Sequence, residues 1–465
     1  MKKRNWPQSR RYGRYRNDRE RSAGDEQYGL NDAGPSHRAS TCTSSSSSST
    51  SSVAPELPGF YFDPEKNRYF RLLPGHNNCN PLTMEQLREK EREKKRHKML
   101  AEDENPRKIS PKPGLNTSLL LQKRHLGILP ERSYTRFIHE VKVSGMRRHK
   151  LEIQSTDSSN DSNTDNFRLI VGDSACERVF TVNDVSHGGC KYGIMNFSSS
   201  SQGSLSVEMC DNLYFTNRKP FCISNQDQPG MLCSFKISTA WSCAWCLNPQ
   251  FDKTFSTGLS RRVIVKDAET GRTQVYNVGT DVLAQHFALR VPVLFNGCRS
   301  GEIFSMDLRQ RGRRDHSWKA KRFHQESAVT SVRVLQDENY LLAADMLGQI
   351  KLWDVRVTKP VQEYKGHHNE HAYLPLHVNE PEGLLFAVGQ DCYTRIWSLK
   401  DGHLLRTIPS PHPAANDMIP SVVFSSNLGG CRGLPGLLMA VKHDLYYFPY
   451  NTDYQESSKR DDGSS

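Results

Sequence analysis

The sequence predicts an all-β fold built from a repeated four-stranded unit, and three observations predict it. Residues 341–356 read LLAADMLGQIKLWDVR, two apolar strands about a turn that close in Trp353-Asp354. Strands with similar endings recur at residues 263–267, 303–307, 350–354 and 394–398. From Asp267 to Asp307, Asp307 to Asp354 and Trp353 to Trp397 the intervals are 40, 47 and 44 residues, the period of a propeller blade. Helical runs between the strands, which a Rossmann fold or an α/β barrel would need, are absent. Together these predict a WD40-type β-propeller.

Smaller marks agree in phase. Gly366-His367 precedes Trp397 by most of a blade, and small residues recur before each last strand at 256–258, 296–297, 343–344 and 388–391. A final unit over 419–450 ends in Leu445-Tyr446-Tyr447-Phe448 without a Trp. Upstream, 167–171 and 178–185 read as strands of one blade, 212–217 as the start of another, and 231–237 as a closing strand. Residues 218–230 leave no room for two full strands, so one blade is short. Seven blades at this period need roughly 280 to 300 residues. The propeller is placed at residues 149–450, with about seven blades expected and one of them short.

Ahead of the repeats, residues 1–54 form a basic and Ser-rich tail whose composition cannot bury enough apolar surface to order itself. Residues 55–148 carry an aromatic hairpin and a helical segment. The hairpin, at 58–72, sets Tyr61 and Phe62 against Tyr69 and Phe70 across the turn Asp63-Pro64-Glu65-Lys66-Asn67. Helix 81–104 opens on a capping pattern, Thr83 with Gln86, and is polar nearly all round, which reads as a solvated helix. A second helix over 119–126 ends at Gly127 and Pro130, and its leucines must be buried, either on the main domain or in a partner. Residues 451–465 read as a second disordered tail.

Composition narrows the function. The net charge is +12, but nine Lys or Arg against Asp18 and Glu20 in the first 22 residues account for much of it. That tail, and a second basic cluster at Arg309, Arg311, Arg313 and Arg314, suggest at most weak, nonspecific contact with nucleic acid. Twelve cysteines without a secretory leader, and no apolar run of eighteen residues, point to an intracellular chain, nuclear or cytoplasmic, without a membrane span. Cys243 and Cys246 form a CxxC, but on a strand they face opposite ways, and no further ligands complete a metal site. Two buried structural thiols are expected. With no phosphate loop, metal-binding helix or nucleophile elbow, neither enzyme activity, cofactor nor metal is expected.

Trp353 and Asp354 have structural tasks. The Trp packs between blades, and the Asp caps the strand end by accepting backbone N–H groups. Arg356 lies past the strand with no evident structural task, and its planar charge suits a two-pronged contact with a partner. Trp353-Asp354-Val355-Arg356 resembles the docking box of WD-repeat substrate receptors. The segment PGFYFDPEKNRYFRLLPGHNNCNPLT, GQDCYTRIWSL and IPSVVFSSNLGG extend the likeness over nearly all the ordered chain. The chain resembles the DDB- and cullin-associated factor family, substrate receptors of cullin-four ubiquitin ligases. That resemblance implies a noncatalytic receptor that binds the large DDB adaptor and the cullin-four scaffold and recruits protein substrates. It puts adaptor docking on Trp353, Asp354 and Arg356, with a degenerate copy, lacking the Trp, at Asp307 and Arg309. It also maps a docking helical element onto 81–126. Two other readings remain at this stage: a general WD scaffold, or a basic-tailed chromatin-associated binder.

Overall fold

The structure, a computed structural model, describes residues 60–63, 68–71, 84–104, 117–155, 166–172, 178–184, 190–199, 205–215, 239–310, 318–413, 418–428 and 434–450. The chain divides into two units, one ending at Leu73 and one beginning at Pro74. In the first, β1 (Phe60–Asp63) pairs antiparallel with β2 (Arg68–Arg71), Phe60 opposite Arg71 and Asp63 opposite Arg68. This is the hairpin that the turn residues predict.

The second unit opens with α1 (Met84–Glu104), α2 (Thr117–His125) and α3 (Glu131–Gly145). The sequence reading anticipates the first two and misses α3. It takes Pro130 as a terminator, whereas Pro130 directly precedes the first turn of α3, where its fixed φ and missing N–H cost nothing. Two expectations about these helices need correction. Helix α1 is not simply solvated: Arg96 is buried and donates through Nη1 to the carbonyls of Ser410, at 2.9 Å, and Pro411, at 3.2 Å. In α2, Leu119 and Leu121 are exposed rather than buried.

The rest is strand. A five-stranded sheet holds β4 (Ile153–Ser155), β5 (Asn166–Gly172), β6 (Arg178–Asp184), β7 (Cys190–Ser199) and β8 (Leu205–Phe215) in the order β4-β8-β7-β6-β5. Residues 212–215 therefore complete this sheet and do not open another blade, because Cys190 pairs with Phe215 at the far end of the β7–β8 ladder. The expected strand at 231–237 and the whole short stretch 218–230 lie outside the described residues.

Four regular meanders follow. The first contains β9 (Ala240–Trp245), β10 (Thr254–Leu259), β11 (Arg262–Asp267) and β12 (Thr273–Asn277). The second contains β13 (Val282–Phe287), β14 (Val293–Cys298), β15 (Glu302–Asp307) and β16 (Lys319–His324). The third contains β17 (Val329–Val334), β18 (Tyr340–Asp345), β19 (Ile350–Asp354) and β20 (Lys359–Tyr364). The fourth contains β21 (Leu376–Asn379), β22 (Leu384–Val388), β23 (Tyr393–Ser398) and β24 (Leu404–Pro409).

In the last sheet, β25 (Ser421–Leu428), β26 (Leu434–Val441) and β27 (Asp444–Pro449) take their fourth strand from far upstream. It is β3 (His149–Leu151), antiparallel to β27 with Leu151 opposite Leu445. A strand from the start of the propeller thus covers the edge left by its end. The described residues form six such sheets besides the hairpin.

The first strands of successive sheets touch in the series β9, β13, β17, β21, β25 and β5, which makes them the inner strands of the propeller. Their free edges cannot complete backbone pairing, and serines take up part of the deficit. Ser242 donates to the Val282 carbonyl, while the Ser331 and Ser421 hydroxyls accept from the N–H groups of Leu376 and Ile170. Apolar cores fill the spaces between blades. Trp353, 6% exposed, meets Phe323 of the preceding blade edge-on at 5.7 Å, and fully buried Trp397 packs with Leu342, Leu352 and Leu385.

One further arginine fixes the helices to the ring. Arg406 of β24 donates to the carbonyls of Val143 and Met146, both at 2.7 Å, and pairs with Asp103 of α1 at 2.7 Å. It satisfies carbonyls at the C-terminal end of α3, where a cation is favoured, and joins both helices to one outer strand.

Candidate functional site

Trp353 and Asp354 do what the sequence assigns them. The indole is buried between blades, and Asp354 Oδ1 accepts the Arg356 backbone N–H at 2.8 Å. Arg356 differs from expectation, because it does have a structural partner. Its Nε donates to Asp354 Oδ1 at 3.1 Å and its Nη2 to Oδ2 at 2.7 Å, a two-pronged fork two residues long. The guanidinium also lies 5.9 Å from the centre of the Tyr340 ring. Even so, the arginine side chain is 61% exposed against 12% for the aspartate. Asp354 thus anchors the cation, and the outer face of the guanidinium meets solvent.

The same device recurs one blade earlier. Arg309 donates from Nε to Asp307 Oδ1 at 3.0 Å and from Nη2 to Oδ2 at 2.6 Å, and its backbone N–H meets Oδ1 at 2.9 Å. The loss of the Trp therefore leaves the fork intact. Asp307 and Asp354 are equivalent positions, paired with Val293 and Tyr340 at the matching ends of their sheets. In the blade of Asp267 the corresponding carboxylate accepts the N–H groups of Glu269 and Thr270, and the residue two positions on is Glu269 and not an arginine. Electrostatics records the forks. The Arg356 fork holds the Asp354 carboxyl down at about 2, and Arg309 likewise holds Asp307 below the usual carboxylate range. Both forks are ionised near neutrality.

The two forks share one rim. In an antiparallel meander the turns after the first and third strands lie at the same end of the blade. At that end Glu338 accepts the Arg290 N–H, and Glu380 accepts the Gln336 N–H at 2.9 Å, linking three consecutive blades. Between blades, Lys321 Nζ reaches the Arg356 carbonyl at 3.5 Å. Three apolar side chains in these turns, Leu289, Val291 and Val357, are exposed at 43%, 43% and 56%. Helix α3 reaches the same rim one blade further on. Lys142 pairs with Glu382 at 3.4 Å, and Arg136 meets His403 at 2.8 Å. Helix α2 packs on α3, with Arg124 over the Tyr134 ring at 4.6 Å, and the following turn exposes Leu126 and Ile128.

Sequence reasoning missed the apolar members of this rim, since a lone Val or Leu in a turn carries no periodic signal. It also missed Arg406 and Arg96, whose partners lie far along the chain. Of the second basic cluster, Arg309 is paired, and Arg311, Arg313 and Arg314 lie outside the described residues. The thiols need one correction. Cys246 is buried but Cys243 is exposed, because β9 turns it to the opposite face, and both are free. Among the described residues no group of His, Cys, Asp or Glu is placed to hold a metal ion, and no helix is long and apolar enough to cross a membrane.

A family model of the DDB1- and CUL4-associated factor 4 beta-propeller domain matches residues 134–224 and 220–450. The chain belongs to this family. DDB1- and CUL4-associated factor 4 of Homo sapiens is 52% identical over 97% of this chain and 100% of its own length. The Bos taurus protein of the same name is 53% identical over 88% of this chain and 90% of its own length. DDB1- and CUL4-associated factor 4-like protein 2 of Homo sapiens is 46% identical over 77% of this chain and 100% of its own length. The first alignment runs over 499 positions, more than the 465 residues here, so that relative carries residues without a counterpart in this chain. The two family matches meet at residues 220–224, inside the stretch where the sequence leaves too little chain for a full blade.

Proposed function

We propose that this chain is a noncatalytic substrate receptor of a cullin-four ubiquitin ligase. It docks the DDB1 adaptor by the rim that carries Arg309 and Arg356, and presents bound proteins for ubiquitination. The observation that carries the docking assignment is the repeated fork. Two adjacent blades hold an arginine on its own aspartate, with the outer face free to contact an acidic or carbonyl-rich partner. Holding each cation in place reduces the side-chain entropy lost on docking. Leu289, Val291 and Val357 supply apolar area beside the charges, and α3 with α2 extends the surface as a helical element. We place such a receptor inside the cell, in nucleus or cytoplasm.

The test is capture of purified DDB1–cullin-four complex by the full chain. Arg309→Glu combined with Arg356→Glu should abolish capture with the unfolding midpoint unchanged. Capture that survives the double reversal would show that this rim is not the docking surface.

A further inference from the structure

The inner strands carry one arginine unlike those at the rim. Arg333 of β17 donates from Nε to the Leu376 carbonyl at 3.2 Å, and among the described residues no carboxylate pairs with it. It lies deep in the ring. His286, Arg333 and His377 sit opposite Phe295, Leu342 and Phe386, which are equivalent positions of three consecutive blades. The three therefore form one level of inner strands β13, β17 and β21. His286 Nδ1 accepts the Val334 N–H at 3.3 Å, which sets this imidazole against the residue after Arg333. His377 follows Leu376, the residue that accepts from Arg333.

The level has a cover on the side away from the forks. Tyr373, from the connection into β21, reaches back past one whole blade and donates to the Leu283 carbonyl on β13 at 2.9 Å. Its hydroxyl bears electrostatically on Arg333. Its ring is 53% exposed, and Trp241, at the same end of β9, is 41% exposed beneath the Arg299 guanidinium. Tyr373 thus stands as an accessible aromatic at the entrance, with the Arg333 cation below it.

A guanidinium enclosed without a counter-ion is costly, and the surroundings show the cost. Burial and the neighbouring Arg333 push both His286 and His377 down to about 3. Among the described residues, no Asp or Glu acts on either histidine or on Arg333. The site is therefore cationic, short of acceptors and bordered by neutral imidazoles that can donate hydrogen bonds.

We propose that the channel receives a carboxylate of an acidic peptide on Arg333, with His286 and His377 beside it and Tyr373 holding the peptide at the mouth. The inference rests on the receptor reading above and names the chemistry of what the receptor takes.

The test is direct binding of octaglutamate amide to the full chain, by fluorescence anisotropy, with octaglutamine amide as the uncharged control. A third probe, (Gly-Ser)4 with a free C-terminus, offers only a terminal carboxylate. Octaglutamate amide binding with (Gly-Ser)4 inert assigns the site to side-chain carboxylates, and the reverse assigns it to a chain end. Arg333→Gln, which keeps a donor for the Leu376 carbonyl, should weaken whichever probe binds by about tenfold or more. Arg333→Lys should recover part of that loss. Binding unchanged in Arg333→Gln, or no binding of either carboxylate probe to the wild-type chain, would overturn the proposal. Adaptor capture is read on the same samples. It should be equal in all three proteins, which shows that the variants are folded. If the wild-type chain binds peptide but captures no adaptor, the ligase reading fails while the channel site stands.

Discussion

The third-strand turns of two neighbouring blades differ by one conspicuous residue and share one geometry. One reads Trp353-Asp354-Val355-Arg356, the other Met306-Asp307-Leu308-Arg309. In the first the indole meets Phe323 between blades; in the second Met306 lies in a cluster with Phe304 and Trp318, so an aromatic reaches that core from a different position. The Asp–Arg forks at the surface are nearly superposable in their hydrogen bonds. The comparison separates two functions usually read as one motif. The Trp builds the blade, and the Asp with its Arg two residues on builds the exposed cation.

The largest effects should fall on the structural half. Trp353→Ala opens a cavity between two blades and should lower the unfolding free energy by about 3–5 kcal/mol, read from urea denaturation. Met306→Ala should cost less, about 2–3 kcal/mol, because Phe304 and Trp318 remain to fill its cluster. An equal cost at both sites would break the claim that the Trp carries the difference. Arg406→Ala removes the tie shared by α1 and α3 and leaves Asp103 half-enclosed without its cation. A loss of about 3 kcal/mol is expected, with hydrogen exchange rising in both helices before the blades. Protection unchanged in α1 would show that Arg96 alone holds that helix.

The surface half should respond in binding and not in stability. Arg356→Glu and Arg309→Glu, taken singly, should each weaken adaptor capture by roughly tenfold, as rim charges do. A wide disparity between them would show that equal forks are used unequally. The smallest effect is on titration. A carboxyl whose pKa is depressed contributes to stability above its unfolded value near 3.9, and the contribution fades as pH falls through the folded value. For Asp354 that folded value is about 2, so its carboxyl carbon resonance should stay that of the ionised form at pH 4 and change only near 2. In Arg356→Gln the midpoint should move up toward the ordinary carboxylate range. An unmoved midpoint would mean that the backbone N–H groups suffice to depress it, in the way the Thr270 N–H is the largest influence on Asp267.

Most of the blade plan is legible in the sequence, because each strand is short, its alternation is local, and its period repeats. The third strands β11, β15, β19 and β23 fall where it places them. Helix α3 is not legible, since Pro130 can end one helix or begin another and local sequence does not decide which. Nor is β3, three residues long, whose role exists only because β27 presents an unpaired edge to it. The sequence places Cys243, Leu119 and Leu121 inside and the structure leaves them exposed, because burial depends on which neighbour covers a face and not on the face's own composition.

The sequence by itself determined the repeat, the aspartates that end the third strands and the arginines two residues beyond them. These are local matters of alternation, turn chemistry and reach. Only the tertiary structure decided that Arg309 and Arg356 share a rim with Leu289, Val291 and Val357. It alone decided that Arg406 gathers two helices and that Arg333 stands between two histidines with no carboxylate beside it among the described residues. Each of these is a meeting of residues far apart in the chain, and the stacking of one blade on the next fixes such meetings by packing and edge pairing, not by any pattern along the chain.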